Sequence, residues 1–148
     1  MGSTSDLEVM TPAIVTLEQF GIEVDKRVIS AHRAPHELMR WVEGAREQGI
    51  EIIIAGAGGA AHLAGVIAGL TSMPVIAVPI HSKLNGLDSL LSMVQMPSGV
   101  PVACVAIDGA KNAALLAVQM LAIANKDLRA KLEEFRAAQT QKILDTKI

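Results

Sequence analysis

Apolar residues recur along the chain in two alternating patterns, a helical period and short continuous runs, and the alternation predicts the elements. From Leu7 to Phe20 the positions Leu7, Met10, Ile14 and Leu17 fall at helical spacing, and Gly21 follows as a stop. Pro12 removes a backbone donor from that pattern, so a kink there, or a helix start capped by Thr11, is expected. The β-branched run IEVDKRVIS at 22–30 reads as a strand. Pro35 then opens a helix whose apolar face is Leu38, Trp41, Val42 and Ala45, with Gly49 as its stop. EIIIAGAGGAAHLAGVIAGL repeats the unit as an isoleucine run buried on both faces, a glycine loop and a small-residue helix. VIAVPI before LNGLDSLLSMVQM is a third unit, and VACVAI before KNAALLAVQMLAIA is a fourth. KDLRAKLEEFRAAQTQKILDTK reads as an extra, charged amphipathic helix at the C-terminal side.

Strands alternating with helices at short spacing predict an α/β three-layer sandwich around a parallel sheet, flavodoxin-like or Rossmann-like. Every later helix follows a strand, whereas the first follows only MGSTS. The pattern therefore predicts a further first strand that is missing from the sequence as it stands. With 148 residues, a single domain over 1–148 is expected.

Composition narrows the function. Hydrophobic residues make up 51% and charged residues 19%, which supplies a full core and excludes a disordered chain. A net charge of -2 without a basic block, and rings only at Phe20, Trp41 and Phe135, argue against nucleic acid as a partner. The lone Cys104 can form neither an internal disulfide nor a CxxC site, and no leader pattern precedes the first helix, so a cytoplasmic location is expected. The longest apolar stretches are broken by glycine and carry His62, so no membrane partner is expected.

In an open parallel sheet, ligands bind beyond the carboxyl ends of the strands, so the chemistry is sought in the loops there. GSTSD at 2–6 places Ser3, Ser5 and Asp6 at a helix start. Hydroxyls and amides there suit a phosphate or ribose, and the same groups equally serve as caps. SAHRAP at 30–35 sets His32, a proton carrier near neutrality, beside Arg33, a permanent anion fork. In the plainer reading Arg33 pairs with a surface carboxylate and His32 packs under the loop. GAGGAAHL at 56–63 matches GxGxxA after a strand, but the dinucleotide reading also needs a carboxylate near the end of the next strand. Val78, Pro79, Ile80 and His81 stand there, so NAD is disfavoured. Gly56, Gly58, Gly59, Ala60 and Ala61 instead read as a close-fitting apolar wall for a flat ring or a small apolar molecule, with His62 at the helix start as a cap or a second polar group. His81 ends a strand at the same rim and is equally compatible with a structural role, while His36 reads as a solvated first-turn residue. No carboxylate completes a zinc set with these histidines, so no metal is expected.

Taken together, MGSTSD, SAHRAP, IIAGAGGAAHL, NGLDSLLSMVQMPSGVPVA and NAALLA resemble the N5-carboxyaminoimidazole ribonucleotide mutases of purine biosynthesis, the class I phosphoribosylaminoimidazole carboxylase catalytic subunits. The resemblance runs in order from Gly2 to the last helix. It implies a flavodoxin-like fold, a homo-octamer, a nucleotide substrate and no cofactor. Carried over by position, it puts Ser3, Asp6 and Arg33 on the phosphoribosyl part of the substrate. Ser5 and Ser30 belong to the same two blocks and are expected to bind substrate with them. The resemblance makes His32 the general acid/base, and His62 matches a histidine found in the mutases but lacking from the class II carboxylases. Ala64 and His81 stand where the family usually has proline and glutamine, and the loops SKLNG and IDGAKN are shorter than usual.

Overall fold

The computed structural model describes residues 1–147. A 3₁₀ turn at Thr4–Asp6 leads into α1 (Leu7–Gln19), followed by α2 (Pro35–Ala45), β1 (Ile53–Gly58), α3 (Leu63–Leu70) and β2 (Val75–Ile80). Then come α4 (Leu87–Val94), β3 (Ala103–Cys104), α5 (Ala110–Ala122) and α6 (Lys126–Leu144). The strands form one parallel sheet in the order β1-β2-β3. β1 and β2 pair from Ile53 with Val75 to Gly58 with Ile80, which sets both carboxyl ends at one rim.

Two cores flank the sheet, as the three-layer expectation requires. Ile76 and Val78 of β2 pack with Met10 and Leu17 of α1 and with Ala114 and Val118 of α5. On the opposite face Val75 and Ala77 pack with Leu38 and Val42 of α2, Ile67 of α3 and Met93 of α4. The period-two alternation of β2 therefore feeds both layers, and VIAVPI is apolar throughout because neither face meets water. Burial of a side chain such as Ile76 contributes about 1.5–3 kcal/mol. Asn125 caps α6, its side chain accepting from Leu128 N–H at 3.0 Å.

The sheet departs from the sequence expectation in two places. Residues 22–30 run without strand pairing, so the sheet among the described residues has three strands where four were expected. Their β-type backbone bonds go only to Met1, whose amine donates to Arg27 O at 2.9 Å and whose carbonyl accepts from Ile29 N–H at 3.0 Å. Further along, an open groove of about 290 Å³ lined by Ile22, Val24, Ile52 and Ile54 separates the segment from β1. Strand propensity without a neighbouring backbone makes no ladder. β3 is also shorter than VACVAI, because the chain turns away after Val105 donates to Ala77 O at 3.1 Å. Cys104 is half-buried there, and burial raises its thiol pKa.

Pro12 lies inside α1 and starts no new helix. Its ring leaves the Glu8 carbonyl without its usual donor, while Thr11 Oγ1 donates to Leu7 O and Thr16 Oγ1 to Pro12 O, both at 2.7 Å.

Candidate active site

The rim at the carboxyl ends of β1 and β2 holds a cavity of about 450 Å³. Ser3, Ser5 and Asp6 approach it from the turn ahead of α1, and Ser30, His32 and Arg33 from the segment ahead of α2. Gly58 and His62 line it from the β1–α3 loop, and Ile80, His81 and Ser82 from the end of β2.

The GSTSD turn is held by its own side chains. Asp6, buried, accepts from Ser3 N–H at 3.0 Å, and Ser3 Oγ accepts from Ser5 N–H at 3.3 Å, a reciprocal capping box. Ser5 Oγ lies 2.9 Å from Ser3 Oγ and 3.4 Å from Asp6 Oδ1, so the three side chains form one hydrogen-bonded cluster in which the Ser5 proton serves one of the two acceptors. The capping and ligand readings of this turn are compatible, since the cap fixes the hydroxyl that faces the cavity.

Arg33 reaches back across the cavity, Nη2 donating to Gly2 O at 2.9 Å. That bond orients the guanidinium and leaves most of its five N–H donors for an anion. Ser30 Oγ accepts from Arg33 N–H at 3.3 Å and Ser30 O from Ala34 N–H at 2.9 Å, so Ser30 shapes the turn that presents His32 and Arg33. The three ion pairs among the described residues involve Lys26, Arg27 and Arg40, so Arg33 is not paired with a surface carboxylate.

His32 and His62 meet edge to face, ring centroids 5.0 Å apart, with His32 Nε2 2.8 Å from His62 Nδ1. At that distance one nitrogen carries a proton and the other offers a lone pair, so the two rings share a single proton between them. The SAHR and AAHL blocks, thirty residues apart, thereby become one proton-handling unit.

Three of the expected wall residues, Gly56, Gly59 and Ala60, lie elsewhere, Gly56 against Met10 in the core. Gly59 and Ala60 do not line the cavity: Ala60 is exposed, and the amide of Gly59 points to Ser82 Oγ at 3.0 Å. The loop turns at positive φ, +65° at Gly59 and +40° at Ala61, which swings its tip away. Ala57, Ala61 and Leu63 supply the apolar wall with Gly58. His81 does line the rim, whereas His36 is exposed on α2. Ser82 was not singled out by the sequence, because nothing in SKLNG marks one polar residue above its neighbours. Among the described residues no three His, Cys, Asp or Glu side chains gather as a metal site.

The chain is similar to known proteins along nearly its whole length. The family model described as AIR carboxylase matches residues 1–142. The N5-carboxyaminoimidazole ribonucleotide mutase of Saccharolobus solfataricus is 58% identical, covering 100% of this chain and 94% of the relative. That of Pyrococcus abyssi is 61% identical over 92% of this chain and 79% of the relative. The crystal structure of Treponema denticola PurE superposes with a TM-score of 0.87 at 30% identity, covering 98% of this chain and 91% of that one.

Proposed function

The chain belongs to the AIR carboxylase family, and from that premise we propose that it converts N5-carboxyaminoimidazole ribonucleotide to 4-carboxyaminoimidazole ribonucleotide in purine biosynthesis. The observation that carries this reading is the His32–His62 contact at 2.8 Å, set between an anion-binding side and an apolar wall. The phosphoribosyl part lies on Ser3, Ser5, Asp6, Ser30 and Arg33. The imidazole ring lies against Gly58, Ala57 and Ala61.

In this reading the bond from the exocyclic nitrogen to its carboxylate breaks, carbon dioxide departs, and His32 gives a proton to that nitrogen. Ring carbon four then attacks the carbon dioxide, forming the new carbon–carbon bond. His32, now lacking its proton, takes the one displaced from carbon four, which restores the aromatic ring and resets the base. No net proton or electron is consumed. His62 serves as the partner that holds His32 in orientation and accepts or returns the shared proton. Holding carbon dioxide beside carbon four makes recapture effectively unimolecular, an advantage of about 7–11 kcal/mol for well-aligned groups.

Recapture needs a water-poor pocket, yet His32, Arg33 and His62 are all exposed on the single chain. A neighbouring copy is the natural cover. An apolar stripe at the α4 end supports such contacts, with Leu84 64%, Leu87 51%, Leu91 45% and Val94 51% exposed. The assembly we infer is the homo-octamer that the resemblance implies. No helix among the described residues is long and apolar enough to cross a membrane. The work is proposed to take place in the cytoplasm, on a freely diffusing nucleotide.

The test supplies N5-carboxyaminoimidazole ribonucleotide in buffer with isotope-labelled bicarbonate, and corrects for spontaneous substrate breakdown. Unlabelled product is expected. Labelled product would replace the mutase by a carboxylase drawing on free carbon dioxide. A folded protein that binds the nucleotide without turnover would instead be a non-catalytic binding domain.

A further inference from the structure

The end of β2 is pinned at three successive residues by side chains from two other elements. Ser89 of α4 donates from its buried hydroxyl to Ile80 O at 2.8 Å. Asp108, in the loop ahead of α5, accepts from His81 N–H at 2.9 Å. Asp88, in the first turn of α4, accepts from Ser82 Oγ at 2.9 Å. Ser82 Oγ in turn accepts from Gly59 N–H at 3.0 Å.

The direction of this chain of bonds is fixed by chemistry. A backbone amide only donates, an ionised carboxylate only accepts, and a hydroxyl has one proton to give. Gly59 N–H therefore donates to Ser82, which leaves the hydroxyl proton of Ser82 for Asp88 Oδ2. The other oxygen of Asp88, Oδ1, is buried and has no hydrogen-bond partner among the described residues. Burying a carboxylate oxygen this way costs free energy, and the structure retains it where it braces the hydroxyl.

The Gly59 loop needs such a brace. It turns through positive φ at Gly59 and again at Ala61, a residue whose Cβ disfavours that conformation. One residue further, His62 must present Nδ1 within hydrogen-bond distance of His32. We propose that Ser82 and Asp88 are positioning residues for the reaction, holding the Gly59–Ala61 turn through the Gly59 amide so that His62 stays engaged with His32. This rests on the mutase reading and adds to it a support that reaches the histidine pair from α4.

The test compares the full chain with Ser82→Ala, Asp88→Ala, the double variant and Asp88→Asn. It reads kcat, KM, Tm and hydrogen exchange at the Gly59 amide. Each alanine variant is expected to lose about tenfold or more in kcat while KM for the nucleotide stays within about threefold, because the phosphoribosyl contacts are untouched. The double variant should be no worse than the poorer single one, since both act through one amide. Asp88→Asn keeps an acceptor oxygen, should recover most of the loss and is the mild variant if an alanine variant fails to fold. Gly59 exchange should quicken in Ser82→Ala by more than any change in global stability explains. Unchanged Gly59 exchange, losses that multiply in the double variant, or a lowered Tm with kcat intact would overturn the proposal. A wild-type chain without turnover whose Gly59 amide still depends on Ser82 would sink the mutase reading and leave the bracing role standing.

Discussion

His32 Nε2 lies 2.8 Å from His62 Nδ1, so neither imidazole moves a proton without the other registering it. Doubly protonated, the two rings would aim N–H at N–H; with one proton between them, the contact is attractive. The pair should therefore behave as a unit. His32→Asn is expected to retain nucleotide binding and lose about 10²–10⁴-fold in kcat, the range of general acid–base catalysis. His62→Asn should lose less, because His32, the group that meets the substrate, is still present though less firmly oriented. The double variant should match His32→Asn alone, as for residues that share one step. Binding titration alongside steady-state kinetics decides the matter, and a loss of affinity as large as the loss of kcat would remove His32 from the acid/base role.

Arg33 spends one N–H on Gly2 O at 2.9 Å and keeps its fork for an anion. Arg33→Lys retains the charge but not the planar donors, and a charge-assisted hydrogen bond contributes about 1.5–3 kcal/mol. KM should rise by about tenfold or more with kcat little changed, because the contact is made equally in ground and transition states. The reverse split, a fall in kcat at constant KM, would place Arg33 on the reacting atoms and away from the phosphoribosyl group.

The loops that carry this chemistry were legible because each stands at or just ahead of a helix start, although only the His62 loop follows a strand of the sheet. Ser3, His32, Arg33 and His62 come from three separate blocks, and the topology of β1 and β2 brings them to one cavity. What the sequence hid was set by partners distant along the chain. Residues 22–30 carry strand propensity, yet a ladder needs a neighbouring backbone, and Met1 alone provides it. Gly59 was read as part of a ring-binding wall, but its amide is turned to Ser82, twenty-three residues further on. Pro12 was read as a kink or a helix start, and packing of Met10, Ala13 and Leu17 against α5 carries one helix through it, so it is no start. Local pattern records what a residue favours; pairing and packing decide what it does.

Burial raises the pKa of the Cys104 thiol above its ordinary value of 9.0, and stability should respond at high pH. Between 9.0 and the higher folded value, the unfolded chain has given up the proton that the folded chain still holds. Stability attributable to this group is thus fully present below 9.0 and falls as pH rises through that window. Urea melts of wild type and Cys104→Ala at pH 8 and pH 10 isolate the effect from other titrating groups. The wild type should lose slightly more between the two, in keeping with a half-buried site, and equal losses would show that the thiol senses no burial.

Leu87, Leu91 and Val94 recur every three or four residues and leave an apolar ridge on one side of α4, with exposed Leu84 in the turn ahead of it. Asp88 and Ser89 project from the same helix toward the end of β2, so a contact on the ridge would be felt at the site through the residues that pin Ser82. If copies of the chain meet there, charge on the ridge should both break the assembly and open the cavity to water. Leu91→Lys, exposed on the single chain, should cost little in monomer stability. Sedimentation should show smaller species than wild type, and the residual activity should incorporate more labelled bicarbonate into product as carbon dioxide escapes before recapture. A Leu91→Lys protein of unchanged size and unchanged label exclusion would move the interface, and the closure it provides, to another face.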